Sequence, residues 1–350
     1  MDVRLSAEQR ALRDSVAHVV SSLAPRTVRE LDDAERAAKL DATVEVSGWR
    51  ELRTAAARDE AGGMPLASAV EAALVAEELG RGLADAPFLG PTLAAELRRL
   101  AAAPPGSSAE TVAFTPDLSA PARADGGVLA APATAIDARG ASSALVLVPA
   151  PGGYLLGEVA VPDAATTVDL TRPAARVDPA AVAPLPGQGR PITADDLVRW
   201  TSLGLALACA DLVGAMRGAV RLACEYAKTR RQYGVAIGSF QAVQHRLADA
   251  FVSLEGSRSV ALHAAWAVDA SPAGEALAAA ASAKAYCARA GRAVCETAIQ
   301  VHGGIGNTWE CLAHLYLRRA LLASDILGGI GPNLARVLEH HGIGPGHGLR

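Results

Sequence analysis

Aromatic residues are only 4% of the 350-residue chain, and lysine is nearly absent: Lys39, Lys228 and Lys284 stand against 30 arginines. A core built on large rings is therefore excluded, and the 51% hydrophobic content comes mostly from small side chains, 78 of them alanine. That composition favours closely packed helices. The arginine bias fits a GC-rich coding sequence. Excess positive charge is also missing: the formal net charge is −4 and no basic stripe occurs, which removes the electrostatic case for a nucleic-acid partner. Long apolar runs are missing too. The longest uncharged ones, such as residues 202–210, fall short of the ~20 residues of a membrane span. Met1-Asp2-Val3-Arg4-Leu5-Ser6 is not a signal-peptide pattern, so the expectation is a cytoplasmic protein that engages no membrane. The cysteines (Cys209, Cys224, Cys287, Cys295, Cys311) are odd in number and contain no CxxC pair, which reads as buried reduced thiols. No HExxH or comparable histidine spacing indicates a metal.

What is present divides along the chain. Residues 1–105 read as a helical domain: Ser6 precedes an apolar period through Leu12, Val16, Val19, Val20 and Leu23, and a second helix is expected over residues 66–80. Between residues 106 and 191 proline and glycine become frequent. Short runs rich in valine and leucine at 111–114, 144–148 and 154–156, with weaker ones at 128–130 and 175–177, indicate a small β-domain. From Thr193 the helical period returns, with three long helices expected to end near Arg230, Ser271 and Gln300 and a last helical stretch from about Thr308. Short connections between long helices imply an antiparallel four-helix bundle over residues 192–341, followed by a flexible tail, 342–350. The fold class is α+β, mostly α.

Two segments could carry chemistry. Arg230-Arg231-Gln232-Tyr233-Gly234 places two guanidiniums at a helix end, and Phe240-Gln241 follows a glycine-bounded turn. Together these could hold a phosphate beside a polar ring, or the arginines could simply satisfy the helix C-terminus. Gln300-Val301-His302-Gly303-Gly304-Ile305-Gly306 combines a polar side chain with glycines that let a backbone approach a ligand, though a helix-to-helix turn explains it equally well. It does not match GxGxxG, so it is not a dinucleotide fingerprint.

Taken together, segments 226–234 (YAKTRRQYG), 237–249 (IGSFQAVQHRLAD) and 300–310 (QVHGGIGNTWE) resemble, in order and spacing, the C-terminal signatures of the acyl-CoA dehydrogenase family. Residues 77–81 (EELGR) and 169–177 (DLTRPAARV) extend the resemblance over most of the chain. It implies the same three-part layout, FAD as cofactor and an acyl-CoA or related acyl thioester as ligand. Carried over by position, Arg230, Tyr233 (usually Phe), Gln241, Gln300, Gly303 and Gly304 would approach the pyrophosphate and adenosine of FAD held mainly by a neighbouring subunit. His302 would sit beside the same cofactor region.

The departures from the family pattern concern catalysis. Its proton-abstracting Glu falls on Leu327 when aligned through Arg318-Arg319-Ala320, and the alternative Glu of some members falls on Gly204. A hydrocarbon cannot act as a base. The segment that normally lines the flavin edge is reduced to residues 114–119, with Thr115 its one candidate contact, and no Trp occurs between Trp49 and Trp200. Glu310, read as lying in the first turn of a helix, and Asp325 are the remaining acids near these signatures. The chain is thus similar to the short, base-lacking subunits that pair with a full-length homologue in actinobacterial heterotetramers, some acting on steroid side chains. Alternatives are a self-sufficient dehydrogenase with a relocated base, in a homo-oligomer, and a non-redox relative that binds acyl-CoA or an acyl-carrier protein.

Overall fold

A computed structural model describes residues 4–56 and 63–344; positions 345–350 of the expected tail and the first three residues of the N-terminal pattern lie outside the described residues. Four helices come first: α1 (Ala7–Leu23), α2 (Ala34–Val46), α3 (Ala69–Arg81) and α4 (Leu89–Leu100). Helix α1 starts at a capping box in which Ser6 Oγ accepts from Gln9 N and the Gln9 side chain accepts from Ser6 N. Helix α3 begins three residues later than the expected 66, because Ser68 and Glu71 form the same reciprocal cap.

A six-stranded sheet follows, built from β1 (Glu110–Phe114), β4 (Ala133–Ala135), β5 (Ser143–Ala150), β6 (Gly153–Ala160), β7 (Ala175–Val177) and β8 (Ala183–Pro184) in the order β7-β4-β1-β5-β6-β8; the short pair β2 (Ala124–Asp125) and β3 (Val128–Leu129) lies beside it. Strands β1 and β5 run parallel and the other neighbours antiparallel. All five residues of β1 are buried, as expected for the strand flanked on both sides and covered by α4.

Helix α5 (Ala194–Thr229) then leads through a two-residue-strand hairpin, β9 (Arg231–Gln232) and β10 (Val235–Ala236), into α6 (Gln241–Ala270), α7 (Ala273–His302), α8 (Ala313–Asp325) and α9 (Ile330–His340). A capping box between Thr193 and Asp196 fixes the start of α5. By length and composition α5 could cross a bilayer, which counting uninterrupted apolar runs had not registered; in the fold its apolar stretch is buried almost throughout. It is the central helix, packed on α3, α6, α7 and α8, and a helix apolar all round belongs in such a core. Small residues allow the crowding. A Cβ on Gly214 would stand 2.1 Å from Glu77 O, and one on Gly80 would stand 2.5 Å from Asp211 O, so α3 and α5 meet backbone to backbone.

An ionic chain then joins the parts. Arg319 of α8 donates to Asp211 of α5 through Nε (2.9 Å) and Nη2 (2.7 Å), and to Ala84 O and Thr171 Oγ1 through Nη1 (both 2.9 Å). Arg172 bridges Asp211 Oδ2 (3.4 Å) and Asp137 beyond β4 (2.8 and 3.2 Å), and Asp137 Oδ2 accepts from Gly90 N on α4 (2.9 Å). All four ionic groups are buried. Burial alone would raise the Asp137 carboxyl; the Arg172 guanidinium outweighs it and holds the group below its ordinary value. Removing one member leaves an uncompensated buried charge. Arg319→Ala should therefore lower the unfolding free energy by roughly 3–5 kcal/mol in a urea titration, whereas Arg176→Ala, whose partner Asp178 is as exposed as itself, should change it by less than about 1 kcal/mol.

Candidate functional site

The antiparallel order brings the C-terminus of α5, the N-terminus of α6 and the C-terminus of α7 to one end of the bundle. Arg230 is the C-cap of α5, Gln241 is the first residue of α6, and Gln300 lies in the last turn of α7. The hairpin between Gln232 and Val235 turns through Tyr233 (φ 52°) and Gly234 (φ 82°), the two left-handed positions of a type I′ turn. Tyr233 is 95% exposed and meets Phe240 edge to face at 6.3 Å. Gly303 breaks α7 with φ 66°, and a Cβ on Gly303 or Gly304 would meet nothing within 4 Å, so open space faces this turn.

The side chains of Arg230, Gln241 and Gln300 are exposed and make no hydrogen bond among the described residues. Arg230 is thus not spent on its own helix carbonyls. The N-terminus of α6 has no side-chain cap. An arginine, two amides and the uncapped start of α6 are thus exposed at one end of the bundle, group types that can attract an anion. His302 is not among them. It is buried, its Nδ1 lies 2.7 Å from Ala298 O, and its ring stacks on Tyr226 with centroids 4.5 Å apart.

The two positions at which the sequence lacks a base lie in direct contact. A Cβ on Gly204 of α5 would stand 2.4 Å from Leu327 Cδ1, with Leu93 of α4 at 3.5 Å. Leu327 fills the place that a side chain at 204 would need. The segment carrying Leu327 is clamped at every carbonyl. Lys284 Nζ donates to Ala323 O (2.5 Å) and Ile326 O (2.7 Å), Arg336 Nη1 to Leu327 O (2.7 Å), and Asn333 Nδ2 to Gly328 O and Gly329 O (2.8 and 2.9 Å), while Leu327 N donates to Leu118 O (2.7 Å). Lys284 is fully buried with no salt bridge among the described residues, and burial holds its amine down to about 8. Sequence reasoning missed this lysine, although one of three lysines set in an alanine-rich helix was a usable signal.

Around that contact the core is filled by large side chains. Phe114 stacks on Trp200 at 5.9 Å, and Trp200 Nε1 donates to Leu93 O. Thr115 Oγ1 is turned to Asp117, Ser119 and the Ala120 carbonyl within its own loop. The cavity left between the sheet and α8, lined by Leu118, Ile136, Arg172 and Ile326, measures about 90 Å³, well below the ~300 Å³ at which sites for ring-sized ligands begin. A larger cavity of about 870 Å³, lined by Arg50, Arg98 and Arg99, touches neither this region nor the Arg230 end, and Arg98 and Arg50 are paired with Glu110 and Asp41. Glu310 lies in the exposed turn before α8 rather than in a first helical turn, and Asp325 ends α8 facing solvent. Burial pushes the Cys295 thiol up to about 12, leaving it protonated.

Known proteins share both the sequence and this geometry. Residues 189–331 match the family model described as the C-terminal domain of acyl-CoA dehydrogenase. The chain is 35% identical over 338 residues to acyl-CoA dehydrogenase IpdE2 of Mycobacterium tuberculosis, covering 91% of this chain and 93% of that protein. It is 37% identical over 206 residues to acyl-CoA dehydrogenase FadE34 of the same organism, which spans 57% of this chain and 28% of that one. Its fold superposes on a chain of the ChsE4-ChsE5 complex from Mycobacterium tuberculosis with a TM-score of 0.81 at 27% identity, covering 99% and 100% of the two chains.

Two outcomes follow from the closed pocket. Gly204→Glu and Leu327→Glu should each lower the unfolding free energy by roughly 3 kcal/mol or more, measured by denaturant titration, because each forces a carboxylate into filled apolar space. Lys284 stays neutral in the fold above about pH 8, whereas the unfolded chain keeps the proton up to about 10.5. The unfolded state therefore binds more protons in that window. Wild-type stability relative to Lys284→Met should be flat below pH 8 and rise from there to 10.5, read from denaturation midpoints across pH.

Proposed function

Because the chain belongs to the acyl-CoA dehydrogenase family of FAD-dependent oxidoreductases, we propose that it works as the non-catalytic half of a shared active site, lending an FAD-binding edge to a homologous subunit that carries the base and the flavin-ring pocket. The observation that carries this reading is the contact between Gly204 and Leu327: both positions that could hold a base are apolar, and Leu327 fills the space a side chain at 204 would need. The assembly of ChsE4 with ChsE5, a complex whose chain this fold resembles, supports a heteromeric pairing.

The residues present fit one part of FAD and not another. At the open bundle end Arg230 would neutralise the diphosphate, Gln241 and Gln300 would donate or accept at the adenosine side, and the bare backbone at Gly303 and Gly304 would let the cofactor come close. Tyr233, exposed on its hairpin, would lie against the same portion. The 90 Å³ space beside this chain's own sheet does not fit a flavin ring. Bound FAD supplies the hydride acceptor for oxidation of an acyl thioester. This chain has no carboxylate at position 204 or 327 to remove a proton, so its residues bind and orient while the partner subunit performs proton abstraction. The three parts 1–105, 106–191 and 192–341 then serve as scaffold, interdomain wall and cofactor-facing bundle. An acyl-CoA is the substrate class of the assembly, and the cytoplasm, where such thioesters are made, is the expected compartment.

Expressed alone, the chain should purify colourless or with FAD well below one equivalent. Co-expression with a longer homologue that keeps the Glu should give a co-eluting complex with a flavin absorbance band and acyl-CoA oxidation. Stoichiometric FAD and turnover in the isolated chain would overturn the proposal.

A further inference from the structure

The residues proposed to face FAD sit on three different helices, so their spacing must be held by something at that end of the bundle. Buried neighbours there include Ala223 and Ala227 on α5 and Ala298 on α7, which are too small to fix a distance between helices, beside Val301 on α7. The ring contact between α5 and α7 at this end is the stack of Tyr226 on His302, 4.5 Å between centroids and 25° between planes. Each ring is coupled directly to one side of the site. Tyr226 lies one turn before Arg230, whose N–H donates to Tyr226 O (2.8 Å), and Arg230 O accepts from Ile237 N (2.8 Å), which anchors the hairpin bearing Tyr233. The turn after that hairpin rests on the same helix, since a Cβ on Gly238 would stand 2.9 Å from Ala227 O. His302 immediately precedes Gly303, and the Ala298 carbonyl, an acceptor, fixes the proton on Nδ1 and so the ring plane. The Tyr226 hydroxyl makes no hydrogen bond among the described residues, so the ring and not the phenol does the spacing.

We infer that Tyr226 is a positioning residue whose stack on His302 sets the distance between Arg230 and the Gly303–Gly304 turn, and with it the affinity of the assembly for FAD. This rests on the FAD-edge role proposed above. Removing the ring lets the end of α5, with Arg230, move relative to the end of α7, although no group that would touch the cofactor has been deleted.

The test is FAD titration of the flavin-stripped complex of this chain with its base-bearing homologue, followed by flavin fluorescence. Tyr226→Leu should weaken FAD binding about 10-fold, or about 1.4 kcal/mol, with the complex still co-eluting. Tyr226→Phe, which keeps the ring, should stay within two-fold of wild type. His302→Leu should weaken binding as Tyr226→Leu does, and the double variant should be no weaker than either single one, the sign of one shared contact. If Tyr226→Leu does not assemble, His302→Leu against Tyr226→Phe decides the same point. Retention of affinity within two-fold by both leucine variants, while Arg230→Ala weakens it, would sink the positioning role and leave the FAD edge standing. Equal losses in Tyr226→Phe and Tyr226→Leu would also sink it, since the hydroxyl would then act directly. No effect from Arg230→Ala and Gln300→Ala would bring down the FAD edge itself and this inference with it.

Discussion

The ionic chain Arg319–Asp211–Arg172–Asp137 is the constraint on which the architecture turns. Its members come from α8, from α5, from the connection between β6 and β7 and from the loop after β4, and its outer hydrogen bonds reach α4 and the Ala84 carbonyl. A buried arginine and a buried aspartate tolerate each other only with nearly complete pairing. That requirement fixes the sheet against the bundle more sharply than apolar contact would, because alanine surfaces can slide and two-pronged guanidinium pairs cannot. Asp169 marks the boundary of this pairing. One of its oxygens accepts from Thr171 N and Oγ1, the other has no partner among the described residues, and burial raises its carboxyl above the ordinary range.

With the sheet held there, the same contact region can be either a flavin pocket or a filled core. In this chain it is filled. Phe114, Trp200, Leu93 and Leu327 close it with apolar volume, and Lys284, Asn333 and Arg336 satisfy the carbonyls of the segment that would otherwise present a base. The clamp uses a buried amine that makes no salt bridge among the described residues, a costly arrangement offset by its two carbonyl hydrogen bonds. At the far end of α5 the economy is reversed. Arg230, Gln241 and Gln300 are exposed and make no side-chain hydrogen bond among the described residues, and Tyr233 holds an exposed left-handed conformation.

Much of this was legible beforehand. The start of α1 at Ser6, the return of the helical period at Thr193, the strand runs near 111–114 and 144–148 and the long helices of the bundle declared themselves through local hydrogen bonding and periodicity, which need no tertiary information. The candidate site was legible as a set of residue types: guanidinium, amides and glycines at fixed spacings. His302 misled because a histidine beside glycines reads as a ligand contact, and only the packing of α7 on α5 turned its ring inward onto Tyr226. Glu310 misled because the start of α8 is set by the preceding turn, three residues further on.

The chain by itself determined its elements, its family and the chemistry it lacks, since propensity, caps and the identities of residues 204 and 327 are local facts. Only the tertiary structure decided that Leu327 fills the space beside Gly204, that Lys284 pins the segment carrying Leu327 and that three distant segments reach one solvent-facing end of the bundle. These are statements about distance between residues remote in sequence. Such distances are set by how helices of nearly uniform alanine surface pack around a few buried charges, and no local pattern encodes them.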